Sequence, residues 1–125
     1  MAEKLYAKIN ANYEYIGWGW MNEAFYIWTG VPSVMIKPKS LTTDQLWDVM
    51  TDADSKNFIF SAACMLAQKG IVGGHAYSVL GMQPIYSANG TLVARLVLTR
   101  NPWGNTEFNG DWSDSSSLWT AAYKA

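Results

Sequence analysis

The sequence contains little of several features that would assign a function directly. It has one cysteine, Cys64, and one histidine, His75, in 125 residues. A single cysteine excludes a disulfide within the chain and agrees with a reducing compartment. The formal net charge is -1, so the chain lacks the clustered excess of Lys and Arg that nucleic-acid binding requires. We therefore expect no nucleic-acid partner.

Long apolar runs are also missing. No stretch approaches the roughly 18 residues of a membrane span, and residues 1–4 lack the apolar core of a secretory signal. We expect a cytoplasmic protein with no membrane span. The hydrophobic content of 50% is enough to bury a core, and the length predicts a single domain over residues 1–125.

Aromatic residues, in contrast, are abundant, with seven Trp and seven Tyr. Large aromatic surface is costly to leave in water, so this content indicates packing against another domain or binding of a flat ligand. One hypothesis is a carbohydrate-binding module that stacks sugars on Trp18, Trp20 and Trp28. It leaves the motifs around His75 and Asn101, described below, without an explanation.

Hydrophobic periodicity predicts helices in the first half of the chain. Apolar residues at helical spacing predict one helix from Ala2 to Tyr13 and a second from Asn22 to Trp28, followed by a strand from Ser33 to Lys37. Thr42 and Gln45 form a capping box, in which each side chain satisfies a backbone N–H of the first helical turn. A third helix is predicted to start there.

The second half of the chain has β character. Strands are predicted over Phe58–Met65, from His75 to Leu80 and over Thr91–Thr99, with Asn89-Gly90 as a two-residue turn and a loop from Trp103 to Ser117. The pattern predicts an α+β fold, with N-terminal helices followed by an antiparallel β-sheet.

This hairpin brings two residues of chemical interest to one end of the sheet. His75 opens one strand, and Asn101 closes the strand that returns from the turn. Thiol proteases need an imidazole to deprotonate a cysteine and a third group to orient that imidazole. Strict register from a two-residue turn places His75 opposite Gly104, so Asn101 is about three residues out of line, and we expect a bulge or wider loop near Pro84 to correct it.

Three sequence blocks resemble a known family. They read Gly-His-Ala-Tyr-Ser-Val at 74–79, Arg-Asn-Pro-Trp-Gly at 100–104 and Trp-Ser-Asp at 112–114. Their order and spacing resemble the second subdomain of the catalytic core of calpain family cysteine proteases, which carries the triad His and Asn. The resemblance covers nearly the whole chain, with a weaker middle from 31 to 69. It implies the C-terminal half of a papain-like fold.

The resemblance implies a role for each matching residue. His75 would be the general base and acid, Asn101 would orient its imidazole, and Trp103 would shield the pair from water. Gly19 and Gly74 fall where the family offers backbone groups to the bound peptide.

The resemblance also implies calcium. Two acidic ligands of the family fall on Glu107 and Asp114, and carboxylate oxygens suit this hard cation. The other ligands of the family come from a later loop that lies outside these residues. We expect Ca²⁺ in the whole protein and weak or absent binding in this fragment.

Two departures from the family limit the function of this chain. No Gln-Gly-x-Cys-Trp segment supplies a nucleophile, and Cys64 lies in an apolar run where a buried, small hydrophobic role is expected. Trp18-Gly19 replaces a pair of glycines, so an indole stands where a substrate backbone should pass.

The resemblance implies part of a calcium-dependent cysteine endopeptidase that cleaves protein substrates through a Cys-His-Asn triad. Its partner would be a preceding subdomain that carries the cysteine, and the fragment alone would be inactive. The alternative, motivated by Trp18, is a catalytically dead, calpain-like interaction or regulatory module.

Overall fold

The computed structural model describes residues 1–124 and divides into two compact units, residues 1–37 and residues from 38 onward. Its elements are helices, strands and two short 3-10 turns: α1 (Ala2–Ile9), a turn at Glu14–Ile16, α2 (Met21–Thr29), a turn at Pro38–Ser40, α3 (Thr43–Ser55), β1 (Phe60–Cys64), β2 (His75–Tyr86), β3 (Leu92–Arg100) and α4 (Ala121–Lys124). Helices followed by an antiparallel sheet confirm the α+β prediction. The prediction of a single domain stays a prediction.

The first helix is shorter than its periodicity predicts. It ends at Ile9, and its C-cap residue, Asn10, donates both its backbone N–H and its side-chain amide to the Tyr6 carbonyl oxygen. Ala11 then has a φ of 77°, which a helix cannot continue. The prediction of a helix through Tyr13 is therefore wrong over its last turn.

The second helix is confirmed. Residues 21–29 form α2, one residue longer at each end than predicted. Gly30 ends it with a φ of 68°, a left-handed conformation that glycine adopts without a Cβ penalty, and its N–H donates to the Tyr26 carbonyl oxygen.

The predicted strand from Ser33 to Lys37 is wrong, because the segment has no strand conformation or ladder partner. Pro32 and Pro38 flank it, and neither has a backbone N–H to donate. Val34 is 84% exposed. β-branched residues favour a strand only where a neighbouring strand satisfies their backbone groups.

The capping box of α3 is confirmed. The Gln45 N–H donates to Thr42 Oγ1 over 3.2 Å, and the Thr42 N–H donates to Gln45 Oε1 over 2.9 Å. The helix packs against the sheet through Trp47, whose ring lies 5.6 Å from the Arg95 guanidinium of β3. This cation–π contact links the helix to the edge strand.

The sheet has three antiparallel strands in the order β1-β2-β3. The long central strand β2 pairs with β1 up to its first residue, where Cys64 lies opposite His75. Its pairing with β3 begins at Ser78, which lies opposite Arg100, and continues to Tyr86. The two edge strands therefore meet β2 close to His75, on opposite sides of it.

The turn of the β2–β3 hairpin is wider than predicted. The Ser87 N–H donates to the Thr91 carbonyl oxygen over 2.9 Å, so Asn89-Gly90 is part of a three-residue connection. Gly90 has a φ of 82°, which agrees with the use of glycine at this point.

The observed register between β2 and β3 is not shifted by the three residues that the sequence predicted. A strict two-residue turn would pair Ser78 with Asn101, and the ladder instead pairs Ser78 with Arg100. Irregularities lie on either side of Pro84, between Val79 and Gly81 and between Ile85 and Tyr86. The net shift is one residue rather than about three, so no bulge places Asn101 opposite His75.

After β3 the chain forms the predicted loop, which is held by an aromatic cluster. Trp112 makes edge-to-face contacts with Trp119, at a centroid distance of 5.0 Å, and with Tyr123, at 5.7 Å. The Trp119 indole N–H donates to the carbonyl oxygen of the buried Ser113 over 2.9 Å.

Within residues 1–124, no helix is long and apolar enough to cross a membrane.

Candidate active site

The site is built at the end of the sheet where β2 begins. His75 is the first residue of β2 and is half-buried. Gly74 precedes it with a φ of 64°, and the Gly74 N–H donates to the Cys64 carbonyl oxygen over 2.7 Å. The turn into the strand is thus fixed on β1, which holds the backbone of His75 in place.

The structure brings His75 and Asn101 together. Asn101 is the first residue after β3, and its Oδ1 lies 2.8 Å from Nε2 of His75. Since Ser78 pairs with Arg100, the contact runs diagonally across the end of the hairpin, within reach of a long side chain. The predicted proximity is therefore correct, although the predicted register is not.

The Asn101 amide has a fixed orientation. Its Nδ2 donates to the Thr106 carbonyl oxygen over 3.1 Å, so this end of the amide is the nitrogen. Its Oδ1 accepts a hydrogen bond from the Trp103 backbone N–H over 3.0 Å as well as the contact with His75. The loop that follows β3 thus folds back onto its own first residue and aims the amide oxygen at the imidazole.

This orientation determines the tautomer of His75. An amide oxygen accepts hydrogen bonds and cannot donate them, so Nε2 must carry the proton in the contact with Asn101. In the neutral ring the lone pair then lies on Nδ1. An imidazole held in this tautomer is able to take a proton from a thiol that approaches Nδ1.

Trp103 lies against the same imidazole. Its ring centroid is 4.2 Å from that of His75, with the planes tilted by 42°, and the side chain is 58% exposed. The indole covers part of the imidazole, and the indole itself remains partly exposed to solvent.

Tyr77 is a further neighbour that the sequence did not single out. Its ring meets the imidazole of His75 edge-to-face, with centroids 5.0 Å apart and planes at 81°. Residues two apart on a strand point to the same face, so the spacing of His75 and Tyr77 was the available signal. Thr106 gave no such signal, because it contributes a backbone carbonyl.

The two glycines of the predicted substrate site differ in what they offer. Gly74 is exposed, and its N–H is already bonded to Cys64, so its carbonyl oxygen is the backbone group left for a peptide. Gly19 is exposed in the 1–37 unit, and a Cβ added there would meet nothing within 4 Å.

Gly19 lines an open recess of about 620 Å³ in that unit. The other lining residues are three aromatics and two glutamates: Tyr15, Trp18, Trp20, Glu14 and Glu23. Trp18 is 85% exposed, so its indole has room to rotate. The substitution that sets this sequence apart from the family pattern therefore lies on the surface of a recess.

Cys64 does not have the buried position that its apolar neighbours predicted. It is half-buried, and its thiol donates to the Leu66 carbonyl oxygen. The prediction was wrong because β1 is an edge strand, and Met65 and Leu66 just beyond it are 74% and 79% exposed. Sequence reasoning also missed that Cys64 lies opposite His75 in the ladder.

The two predicted calcium ligands lie on the loop after β3. Glu107 and Asp114 are both exposed, and residues 1–124 contain no group of three or more His, Cys, Asp or Glu side chains able to hold a metal ion. Calcium takes six to eight oxygen ligands, which two carboxylates do not provide.

The start of this loop is nevertheless well anchored. The Asn109 N–H donates to the Lys69 carbonyl oxygen over 2.8 Å, and a Cβ added to Gly70 would lie 2.0 Å from the Glu107 carbonyl oxygen. The connection between β1 and β2 therefore packs closely against the loop that carries Glu107.

A His–Asn pair is a feature of thiol proteases with a Cys-His-Asn triad, and comparison with known proteins agrees with this class. The profile of the family described as calpain family cysteine protease matches residues 1–125. The chain belongs to the calpain family of cysteine proteases.

Several curated proteins are similar to this chain. Human calpain-14 is 34% identical over 123 residues, which cover 95% of this chain and 18% of that protein. The calpain-type cysteine protease DEK1 of Arabidopsis thaliana is 35% identical over 137 residues, which cover 99% of this chain and 6% of that protein. The human calpain-1 catalytic subunit is 33% identical over 128 residues, with 95% and 18% covered. The chain thus spans less than a fifth of the length of these relatives.

Proposed function

We propose that the protein containing this chain is a calcium-dependent cysteine endopeptidase with a Cys-His-Asn triad, to which this chain contributes His75 and Asn101. The observation that carries the proposal is the 2.8 Å contact between His75 Nε2 and Asn101 Oδ1. Two further hydrogen bonds, one donated to the Thr106 carbonyl oxygen and one accepted from the Trp103 N–H, orient the amide so that its Oδ1 faces His75.

Each residue then has a defined role. His75 Nδ1 takes the proton of a cysteine thiol delivered by a preceding subdomain, and the imidazolium later returns a proton to the leaving amine. Asn101 holds the ring in the required tautomer, and Trp103 limits the access of water to the pair. The carbonyl oxygen of Gly74 and the backbone of Gly19 bind the main chain of a protein substrate.

The rest of the proposal concerns the whole protein. The chain is the C-terminal half of a papain-like core and acts in the cytoplasm. Calcium binds where Glu107 and Asp114 are joined by ligands from outside residues 1–124, and this fragment alone binds it weakly or not at all. The fragment alone is inactive, because it lacks the nucleophilic cysteine.

The test is cleavage of a labelled protein substrate by the full-length protein in the presence of calcium and a reductant. We expect activity that is lost on thiol alkylation and that falls by at least about a hundredfold in His75→Ala. The matched control is Tyr86→Phe, which changes an exposed side chain on the same strand. Full activity of folded His75→Ala would refute the proposed triad.

A second function is favoured by one observation, the exposed Trp18 beside Gly19. If its indole blocks the peptide path, the protein is a catalytically dead, calpain-like interaction or regulatory module. A full-length protein that binds a partner peptide and cleaves no substrate, but gains cleavage in Trp18→Gly, would support this alternative.

A further inference from the structure

We infer that Tyr77 is a positioning residue for His75. The Tyr77 ring fixes the tilt of the imidazole, and the Tyr77 hydroxyl ties the Tyr77 ring to the connection between β1 and β2. This inference rests on the proposed function of His75 as the base of the triad. It assigns Tyr77 no contact with substrate.

The first step is the contact between the two rings. His75 and Tyr77 are two residues apart on β2, so their side chains leave the same face of the strand. Their edge-to-face geometry, at 5.0 Å and 81°, is one that aromatic rings prefer. Asn101 holds one ring nitrogen, and a single hydrogen bond leaves rotation about its own axis unrestrained. Tyr77 supplies a restraint on the ring plane, beside the tilted contact that Trp103 makes with the same ring.

The second step is the hydroxyl of Tyr77. The backbone N–H of Val72 donates to its Oη over 2.8 Å, and both residues are half-buried. A phenol anchored at its far end cannot swing about its χ1 and χ2 angles. The ring that packs against His75 is therefore held at both ends, by the strand and by the connection.

The third step is that the connection itself is fixed. Its Lys69 carbonyl oxygen accepts the Asn109 N–H, and Gly70 fits so closely beneath the Glu107 carbonyl that a Cβ would collide with it. Val72 follows within two residues of Gly70. The anchor of Tyr77 is thus a packed segment, tied to the loop that carries Thr106, whose carbonyl oxygen holds Asn101.

The restraints that Asn101 and Tyr77 place on His75 are therefore anchored in the same packed part of the chain. Asn101 is oriented by the loop after β3, Tyr77 is oriented by the connection before β2, and the contact of residues 69–70 with 107–109 joins the two. A purely structural tyrosine would stabilise the unit without changing the behaviour of the imidazole. A positioning tyrosine must change that behaviour when its hydroxyl is removed.

The experiment compares three variants of the 125-residue chain by NMR, which needs no catalytic activity. Tyr77→Phe removes only the hydroxyl, Tyr77→Leu removes the ring as well, and Tyr86→Phe is the matched control on the same strand. Long-range ¹H–¹⁵N spectra report the tautomer and exchange of the His75 ring, and amide exchange reports the Val72 N–H. Denaturant unfolding of each variant gives its global stability.

For Tyr77→Phe we expect the Val72 amide to exchange roughly fivefold faster, beyond any change in global stability, and the His75 Nε2–H to exchange faster as well. Tyr77→Leu should show the larger change at His75, with still faster exchange of the Nε2–H. Tyr86→Phe should leave both signals unchanged. In the full-length protease, Tyr77→Phe should lower kcat with little change in KM.

An unchanged His75 ring in folded Tyr77→Phe would overturn the inference, as would an equal change in Tyr86→Phe. If Tyr77→Leu does not fold, Tyr77→Phe alone decides the question. A failure of the proposed function would appear differently, as an inactive full-length protein whose His75 still responds to Tyr77→Phe.

Discussion

The His75 end of the hairpin and the recess around Gly19 differ in how far the chain completes them. At the hairpin end, the Asn101 side chain alone takes part in three hydrogen bonds, and two aromatic rings contact the imidazole. In the recess, the indole of Trp18 is mostly exposed, and Glu14 and Glu23 line the same surface. The chain thus orients the imidazole of His75 with its own residues, whereas the indole of Trp18 is left exposed.

The largest effect on activity should follow from breaking the His75–Asn101 contact at the hairpin end. Asn101→Ala removes the acceptor that selects the Nε2–H tautomer, so kcat of the full-length protease should fall by about a hundredfold with little change in KM. Steady-state kinetics on a peptide substrate measure this. Asn105→Ala, in the same loop, is the control, and equal losses in both variants would contradict the proposed role of Asn101.

Two glycine variants should differ in their free energy of unfolding, because one glycine is closely packed and the other is open. Gly70→Ala should lower the free energy of unfolding by about 3 kcal/mol, because its Cβ would overlap the Glu107 carbonyl in addition to the strain of a φ of 83°. Gly74→Ala should cost about 1 kcal/mol, since its φ is similar and its surroundings are open. Urea denaturation gives both values, and equal costs would show that the contact with Glu107 is not tight.

The open side of the comparison is tested by Trp18→Gly, which restores the paired glycines of the family pattern. If the indole obstructs the peptide path, kcat/KM of the full-length protein should rise roughly tenfold. Tyr15→Ala, which changes another aromatic residue of the same recess, serves as the control. Trp28→Gly is unsuitable as a control, because it would remove the stacking of Trp28 on Tyr6. A fall in activity with Trp18→Gly would mean that the indole helps to bind substrate.

Neutralising the acidic loop should separate calcium binding from folding. Glu107→Gln and Asp114→Asn should each change the stability of the chain by no more than about 0.5 kcal/mol, because both carboxylates are exposed. In the full-length protease, each should raise the calcium concentration needed for half-maximal activity. Asp111→Asn is a control on the same loop, and an unchanged calcium requirement in the other two variants would remove them from the proposed site.

The smallest effect is expected for Cys64→Ser. Cys64 lies opposite His75, but its thiol donates to the Leu66 carbonyl oxygen and takes no part in the proposed chemistry. Activity of the full-length protease should stay within about twofold of the wild-type value. A complete loss of activity with the fold intact would make Cys64 a candidate nucleophile.

The features that the sequence predicted correctly depend on local rules or on topology. The capping box of Thr42 and Gln45 and the helix α2, predicted to within one residue at each end, involve neighbouring residues only. The meeting of His75 and Asn101 follows from the direction of two antiparallel strands, and it tolerates an error in register because a side chain reaches diagonally. Local pattern and hairpin topology were therefore sufficient for the central pair.

The features that the sequence could not predict depend on partners far along the chain. The strand expected from Ser33 to Lys37 failed because no other strand pairs with it. The half-burial of Cys64 follows from the edge position of β1, and the anchor of Tyr77 is the backbone N–H of Val72, which any residue carries. A pattern of side-chain types contains no signal for a backbone partner or for a strand's place in the sheet.

The central claim is that Asn101 fixes His75 in one tautomer, with the proton on Nε2 and the lone pair on Nδ1. A long-range ¹H–¹⁵N spectrum of the neutral imidazole in the wild-type chain measures this directly. We predict a single Nε2–H tautomer, which becomes a mixture of both tautomers in Asn101→Ala. A wild-type ring protonated at Nδ1, or one that Asn101→Ala leaves unchanged, would contradict the account.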